Sequence, residues 1–285
     1  MTQQSLSSHI AGVERELGCQ LIIRHIPLEL TYAGEVLLRY ARKYHKMHES
    51  MLREFCDISQ NQKGVLRVGA AATRGQILLP ETISVFQNSY PNIRIDLTES
   101  SNNALHQELL KDTIDLAIAD FPKTLSGVTL RDFYSEEVML IIDASFFAKV
   151  YGSESAHCKN QFLAGDFTAL SSCPLVIGDM DDVDGRIALD LLKQFGIDEP
   201  TVAARSHNVG TLLKLCVSGV GGCFCPQNII HAMLTEKQKI SMLIFPIGAK
   251  AQYQIRFGFK ESSYQWSVIE KFMECAQYVS MSQAS

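Results

Sequence analysis

The sequence predicts an α/β protein with two lobes, preceded by an N-terminal helical region. Two patterns lead to this fold class. From about residue 64 onward, short apolar runs typical of strands alternate with amphipathic runs typical of helices. Before residue 60, helical patterns dominate, and one short strand-like run, CQLIIRHI, separates them.

Composition narrows the class of protein. The chain of 285 residues is long enough for one large domain or about two or three smaller ones. Its net charge of −5 argues against a surface that binds nucleic acid everywhere, although it allows one local reading surface. No apolar run reaches the roughly 18 residues of a membrane span, and no signal-peptide pattern is visible. We therefore expect a cytoplasmic protein without a membrane partner.

The first 30 residues predict a helix, a strand-like run and a turn at Pro27. Leu6, Ile10 and Leu17 follow a helical spacing, and Gly18 stands where that helix would end. The first turn is rich in Thr, Gln and Ser. These side chains are suited to a surface that reads hydrogen bonds.

Residues 31–63 predict a long helix and a polar hinge. Thr31 is a suitable N-cap, and no Pro or Gly interrupts the pattern after Gly34. Apolar residues recur every seven positions, and an isolated helix of this kind needs a partner helix. We expect dimerisation through Leu37, Tyr40, Tyr44, Met47, Met51 and Phe55. The alternative is that this face packs on the helix's own domain.

The remaining residues predict the two lobes. In residues 64–138, the strands GVLRVGAA, IRIDLTES and IDLAIAD alternate with helices, which implies a parallel sheet with right-handed crossovers. Residues 139–241 form the second lobe, with strands in EEVMLIIDASF, CPLVIGD, TVAARS and GGCFCPQNII. We assign residues 242–285, with two strands and a closing helix, to the first lobe.

The polar and sulfur-containing residues do not predict a metal, cofactor or catalytic site. Eight cysteines lack the spacing of a disulfide framework, and we expect buried free thiols: Cys19, Cys56, Cys158, Cys173, Cys216, Cys223, Cys225 and Cys275. His45 and His48 lack the companion ligands of a metal site, as do Cys223 and Cys225. GVGGCFCP lacks the context of a dinucleotide fingerprint, and spacing alone places no catalytic triad.

The chain resembles the LysR-type transcriptional regulators over essentially its full length. The resemblance to the second half of that family's winged helix-turn-helix rests on Thr2, Gln3, Ser7, Ile10, Glu14, Leu17, Gly18, Leu21, Arg24, Leu30, Thr31, Ala33 and Gly34. Downstream, GVLRVGAAATRGQILLPETISVFQNSYP, IDLAIAD and KLCVSGVGGCFCP resemble the family's effector domain.

This resemblance implies an effector domain like a periplasmic binding protein, with a small molecule held between two lobes. Effector binding would alter how the paired DNA heads of a dimer or tetramer engage a promoter. The resemblance also implies that the family's first two helices would precede Met1. We therefore interpret residues 1–30 as a partial winged helix-turn-helix.

Geometry and resemblance together predict the effector site, because ligands of two-lobed α/β folds bind at strand ends and helix starts. The loop after the first strand contributes Ala71, Ala72, Thr73 and Arg74; the later strand ends contribute Ser100, Ser101, Asn102, Asp120 and Phe121; the second lobe contributes His207 and Asn208. Helix starts favour an anionic group. Asp120 would repel a carboxylate or pair with an amine or hydroxyl.

The resemblance implies that the opening helix contacts DNA in the major groove and that an arginine after this helix also contacts the DNA. The residues are Thr2, Gln3, Ser5, Ser7, Ser8, His9 and Arg24. Residues 1–63 nevertheless hold only eight Lys and Arg against seven Asp and Glu. Because phosphate contacts dominate affinity, we expect weak binding to promoter DNA.

Two other functions remain open at this point. A solute-binding protein for transport shares the two lobes, but the missing signal peptide and the heptad helix disfavour it. A dimer partner that binds no DNA and titrates full-length relatives is the other alternative.

An electrophoretic mobility shift assay on residues 1–285 tests the DNA expectation. We expect weak binding, because the head carries little net charge and the resemblance places two supporting helices before Met1. Tight, sequence-specific binding would contradict this expectation.

Overall fold

A computed structural model describes residues 3–25, 27–59, 62–180, 182–261 and 264–284. The chain forms two compact units, Met1–Gln62 and Lys63–Ser285. The first unit belongs to the mainly helical part of the sequence, and the second contains the alternating strands and helices.

The first unit contains α1 (Gln3–Leu17), β1 (Ile22–Ile23), β2 (Glu29–Leu30) and α2 (Tyr32–Ile58). Its helix ends follow from local sequence. Gly18 adopts a left-handed φ of 68° directly after α1, as its lack of a side chain permits. Thr31 caps α2 by accepting a hydrogen bond from the Gly34 amide at 3.0 Å. The short strands β1 and β2 pair antiparallel between the two helices.

The second unit contains nine strands and nine helices in its described residues. Its first half holds β3 (Gly64–Ala70), α3 (Ala72–Ser89), β4 (Ile93–Glu99), α4 (Asn102–Leu110), β5 (Leu116–Asp120), β6 (Val128–Asp143), α5 (Ala144–Tyr151) and α6 (Ser155–Leu163). The second half holds β7 (Leu175–Ile177), α7 (Val183–Gln194), β8 (Val202–Arg205), α8 (Val209–Val217), β9 (Gly222–Pro226), α9 (Gln227–Met233), α10 (Glu236–Ser241), β10 (Met242–Pro246), β11 (Gln252–Lys260) and α11 (Ser267–Ala284).

These strands form one hydrogen-bonded sheet, in the order β4-β3-β5-β11-β6-β9-β7-β8, with β10 also paired to β6. In the first lobe β3 is parallel to both β4 and β5, as the strand–helix–strand pattern predicts. In the second lobe β7 is parallel to β8 and β9. The strands β6 and β11 run antiparallel to each other and link the lobes.

Helices cover both faces of the sheet in each lobe. On one face of the first lobe α3 packs against α11, and the rings of Phe86 and Phe272 lie 5.3 Å apart in a core that also includes Trp266. On the other face α4 packs with the cluster around Leu105 and Phe121. Two further clusters fill the second lobe, one on each side of its sheet.

The predicted lobe boundary at residue 242 differs from the strand pairing. Strand β10 pairs with β6 over Met139–Asp143, and Phe245 packs in the core of the second lobe. The chain therefore returns to the first lobe only at β11. The sequence pattern could identify β10 as a strand, but its partner lies about a hundred residues away and leaves no local signal.

The cysteines are free thiols in the structure. The expectation that they are buried is correct for Cys158, Cys173, Cys216, Cys223 and Cys225. It is wrong for Cys19, which is exposed, and for Cys56 and Cys275, which are half-buried. Among the described residues, no helix is both long and apolar enough to cross a membrane.

Candidate ligand-binding site

A cleft opens between the two lobes of the second unit, beside the first turns of α3, α4, α7 and α8. Its volume is about 300 Å³, at the lower end of small-ligand pockets. The lining residues are Ala71, Ala72, Thr73, Arg74, Glu99, Ser100, Ser101, Asn102, Asp182, Val183, Asp184, His207, Asn208, Val209, Pro226, Ile229 and Tyr253.

Helix starts shape both walls of this cleft. Ser101 caps α4 by accepting a hydrogen bond from the Ala104 amide at 3.3 Å, and Asn208 caps α8 by accepting from the Thr211 amide at 3.0 Å. Ala71, which precedes α3, has no side-chain acceptor to offer the first amides of that helix. Such helix starts carry partial positive charge and favour an acceptor group on a ligand.

A buried ion pair lies at the bottom of the cleft. Arg74 is 9% exposed and contacts Glu136 of β6 at 2.9 Å, while the Tyr253 hydroxyl of β11 donates to the same carboxylate. Burial opposes the charged form of Arg74, but the neighbouring Glu136 carboxylate prevails and the pKa of Arg74 rises. The Nε atom of Arg74 is buried and has no hydrogen-bond partner among the described residues. It is therefore a donor that a bound ligand can satisfy.

Three further carboxylates, Glu99, Asp182 and Asp184, line the cleft. Burial raises the pKa of Asp184 to about 6; backbone amides oppose this rise, and the charge of Asp182 adds to it. Burial also raises the pKa of Asp182, although a contact with His207 at 3.3 Å opposes this change. The cleft therefore combines helix starts with an acidic wall.

Nine of the eleven residues predicted at the effector site line this cleft: Ala71, Ala72, Thr73, Arg74, Ser100, Ser101, Asn102, His207 and Asn208. Thr73 and Asn208 face each other from opposite lobes, with Thr73 Oγ1 3.4 Å from Asn208 Oδ1. Asn102 also places a buried side-chain oxygen without a hydrogen-bond partner here.

The other two predicted residues, Asp120 and Phe121, do not line the cleft. Phe121 is 2% exposed and packs in the α4 side of the core, where burial of its ring is favourable. Asp120 forms an ion pair with Arg186 of α7 at 3.2 Å. The end of β5 therefore serves packing and contact between the lobes, which corrects the sequence-based prediction.

Sequence reasoning missed the acidic and apolar parts of the lining. Asp182 and Asp184 lie in GDMDDVDG, where the chain passes from β7 into the first turn of α7. This position after a strand and at a helix start could have indicated them. Tyr253 offered no such signal, because it reaches the cleft from the start of β11, where this strand pairs with Glu136 of β6. The apolar residues are Val183, Val209, Pro226 and Ile229.

In the first unit, five of the seven residues predicted to contact DNA lie on α1: Gln3, Ser5, Ser7, Ser8 and His9. Thr2 lies outside the described residues, and Gln3 begins the helix. Ser7, Ser8 and His9 are exposed, whereas Ser5 is half-buried. Arg24 lies beyond the helix and pairs with Glu14 at 3.0 Å. Its charge is therefore partly neutralised within the unit.

The long helix α2 carries an exposed apolar stripe. Tyr40, Tyr44, Met47, Met51 and Phe55 are between 45% and 69% exposed, and Leu37 is half-buried. These residues are the ones predicted to mediate dimerisation. An exposed row of this kind is typical of an interaction surface.

The raised pKa of Asp184 predicts a pH effect that Asp184→Asn should remove. Folding raises this pKa from 3.8 to about 6, so the carboxyl contributes stability below pH 3.8 that is lost as the pH rises through about 6. Relative to the variant, the wild type should lose up to about 3 kcal/mol of unfolding free energy between pH 4 and pH 7. Denaturant unfolding followed by Trp266 fluorescence measures this difference.

Asp190→Asn is the matched control, because Asp190 is exposed on the same helix and does not line the cleft. Its pH profile should run parallel to that of the wild type. A parallel profile for Asp184→Asn as well would contradict the assignment of a raised pKa to Asp184.

Comparisons with known proteins agree with this architecture. A family model described as the LysR substrate binding domain matches residues 59–279. A "Probable RuBisCO transcriptional regulator" of Trieres chinensis is 30% identical over 242 residues, covering 83% of this chain and 76% of the relative. One of the same description from Cyanidium caldarium is 33% identical over 149 residues, covering 51% of this chain and 47% of the relative. The chain thus spans about half the length of some relatives that it matches.

Solved structures share the fold. The Corynebacterium glutamicum OxyR C206 mutant matches with a TM-score of 0.64 and 24% identity, covering 100% of this chain and 85% of the other. Full-length CbnR in complex with its target DNA matches with a TM-score of 0.60 and 21% identity, covering 98% and 91%. The family model and the Trieres relative each cover most of the sequence, so the chain belongs to the LysR-type transcriptional regulator family.

Proposed function

We propose that this protein is a ligand-responsive transcription regulator whose small-molecule effector binds in the cleft between the lobes. The observation that supports this most directly is the unpartnered Nε of Arg74 at the bottom of a cleft surrounded by four helix starts. Burying a polar donor without a partner is costly, so such a donor indicates a ligand acceptor. The two lobes provide walls that a ligand can draw together.

The first unit is proposed to act on promoter DNA as part of a dimer or tetramer. Ser7, Ser8 and His9 are exposed polar side chains of α1 that are chemically suited to base edges and phosphates. The near-neutral charge of this unit limits attraction to phosphates, so its affinity should depend on pairing two heads. Relatives named transcriptional regulators, and the CbnR structure with its target DNA, support this assignment.

The effector site is tested by a thermal-shift screen of small metabolites against the wild-type protein. A bound effector raises the melting temperature by mass action. Thr73→Ala and Asn102→Ala should abolish the shift given by a metabolite identified in the screen, because each removes a polar contact in the cleft.

Asn103→Ala is the control for Asn102→Ala. Asn103 is the next residue of α4, is exposed and does not line the cleft, so this variant should keep the full shift. Unchanged shifts in both Thr73→Ala and Asn102→Ala would exclude the cleft as the effector site.

The oligomerisation surface is tested by Met47→Glu in the middle of the α2 stripe. We expect this variant to be monomeric under conditions in which the wild type is dimeric or larger, because a buried unpaired carboxylate strongly opposes association. Size-exclusion chromatography with light scattering gives the mass. Arg42→Glu, an exposed position on the opposite side of the helix, should leave the mass unchanged. An unchanged mass for Met47→Glu would show that another surface forms the oligomer.

A further inference from the structure

The charges that line the cleft do not balance. The charge of Arg74 is matched by Glu136 at 2.9 Å, and Tyr253 completes that pair as a donor. Glu99, Asp182 and Asp184 remain on the cleft wall. The other basic side chain of the lining, His207, lies 3.3 Å from Asp182 and 3.8 Å from Asp179. The lining therefore carries an excess of negative charge.

Two of these carboxylates already lie at helix starts that would otherwise attract a ligand anion. A Cβ atom added to Gly75, in the first turn of α3, would lie 3.3 Å from an oxygen of Glu99. Asp184 lies in the first turn of α7, and its backbone hydrogen bonds come from its own amide and that of Gly185. A purely anionic ligand would have to compete with both carboxylates.

The cleft still contains a buried donor that needs an acceptor. The Nε atom of Arg74 has no hydrogen-bond partner among the described residues, and the residue is only 9% exposed. An acceptor oxygen on the ligand would satisfy this group. The apolar side chains Val183, Val209 and Ile229 provide a surface for a short hydrocarbon body.

We propose that the effector is amino-acid-like, with an ammonium group facing Asp182 and Asp184 and an acceptor oxygen near Arg74. This inference rests on the proposed effector function of the cleft and specifies its ligand class. An organic ammonium can donate up to three charge-assisted hydrogen bonds to such a wall. A metal ion is a poorer candidate, because the described residues contain no group of three or more His, Cys, Asp or Glu that could hold one.

Calorimetric titration of the full chain with matched probes tests the ligand class. The probes are the twenty standard amino acids and two analogues of each. One analogue lacks the α-amino group and keeps the carboxylate, and the other lacks the α-carboxylate and keeps the amine. At least one amino acid should bind, and its deaminated partner should bind about tenfold more weakly or not at all. Asp184→Asn and Asp182→Asn should each weaken binding of that amino acid by about tenfold.

Asp190→Asn provides the matched control on the same helix and should leave the affinity unchanged. Trp266 fluorescence checks that each variant is folded. Binding that depends on both the ligand's ammonium group and the cleft carboxylates distinguishes an amino-acid-like effector from a cation attracted nonspecifically.

The possible failures are distinguishable. If carboxylates bind as tightly as their parent amino acids and lose affinity in Asn102→Ala but not in Asp184→Asn, the ligand class is wrong and the cleft remains the effector site. If no probe binds, the amino-acid-like class is also wrong. If an amino acid binds with an affinity that neither Asn102→Ala nor Asp184→Asn changes, both the ligand class and the proposed site are wrong.

Discussion

The buried ion pair between Arg74 and Glu136 is the interaction on which the cleft depends. It joins the first turn of α3 to β6, while Tyr253 brings β11 to the same carboxylate. Replacing one partner would leave the other buried and uncompensated, typically at a cost of about 3–5 kcal/mol. Tyr253 also packs against cores of both lobes. The pair therefore fixes the start of α3 against the two strands that link the lobes.

Features with a local cause could be predicted from sequence. Gly18 ends α1 and Thr31 caps α2 because these effects act within one helical turn. The parallel order of β3, β4 and β5 follows from alternation of strands and helices. Most neutral polar residues of the cleft were found in the same way, since strand ends and helix starts are visible in the sequence.

Features set by distant partners could not be predicted. Strand β10 joins the second lobe through pairing with β6, and Tyr253 reaches the cleft through pairing of β11 with β6. Asp120 lies at a strand end, as predicted, but its carboxylate forms an ion pair with Arg186 of the other lobe. In each case the deciding partner is absent from the local pattern.

Two side-chain contacts join the two lobes. Thr73 and Asn208 approach at 3.4 Å, and Asp120 pairs with the half-exposed Arg186 at 3.2 Å. An exposed ion pair contributes only about 0–1 kcal/mol, and the first contact is long for a hydrogen bond. A ligand that contacts both walls can therefore add more binding energy than these contacts supply. Under the proposed function, the effect of an effector on lobe separation is limited by the difference in its affinity for the closed and open arrangements. The free energy that couples effector binding to DNA binding cannot exceed this difference.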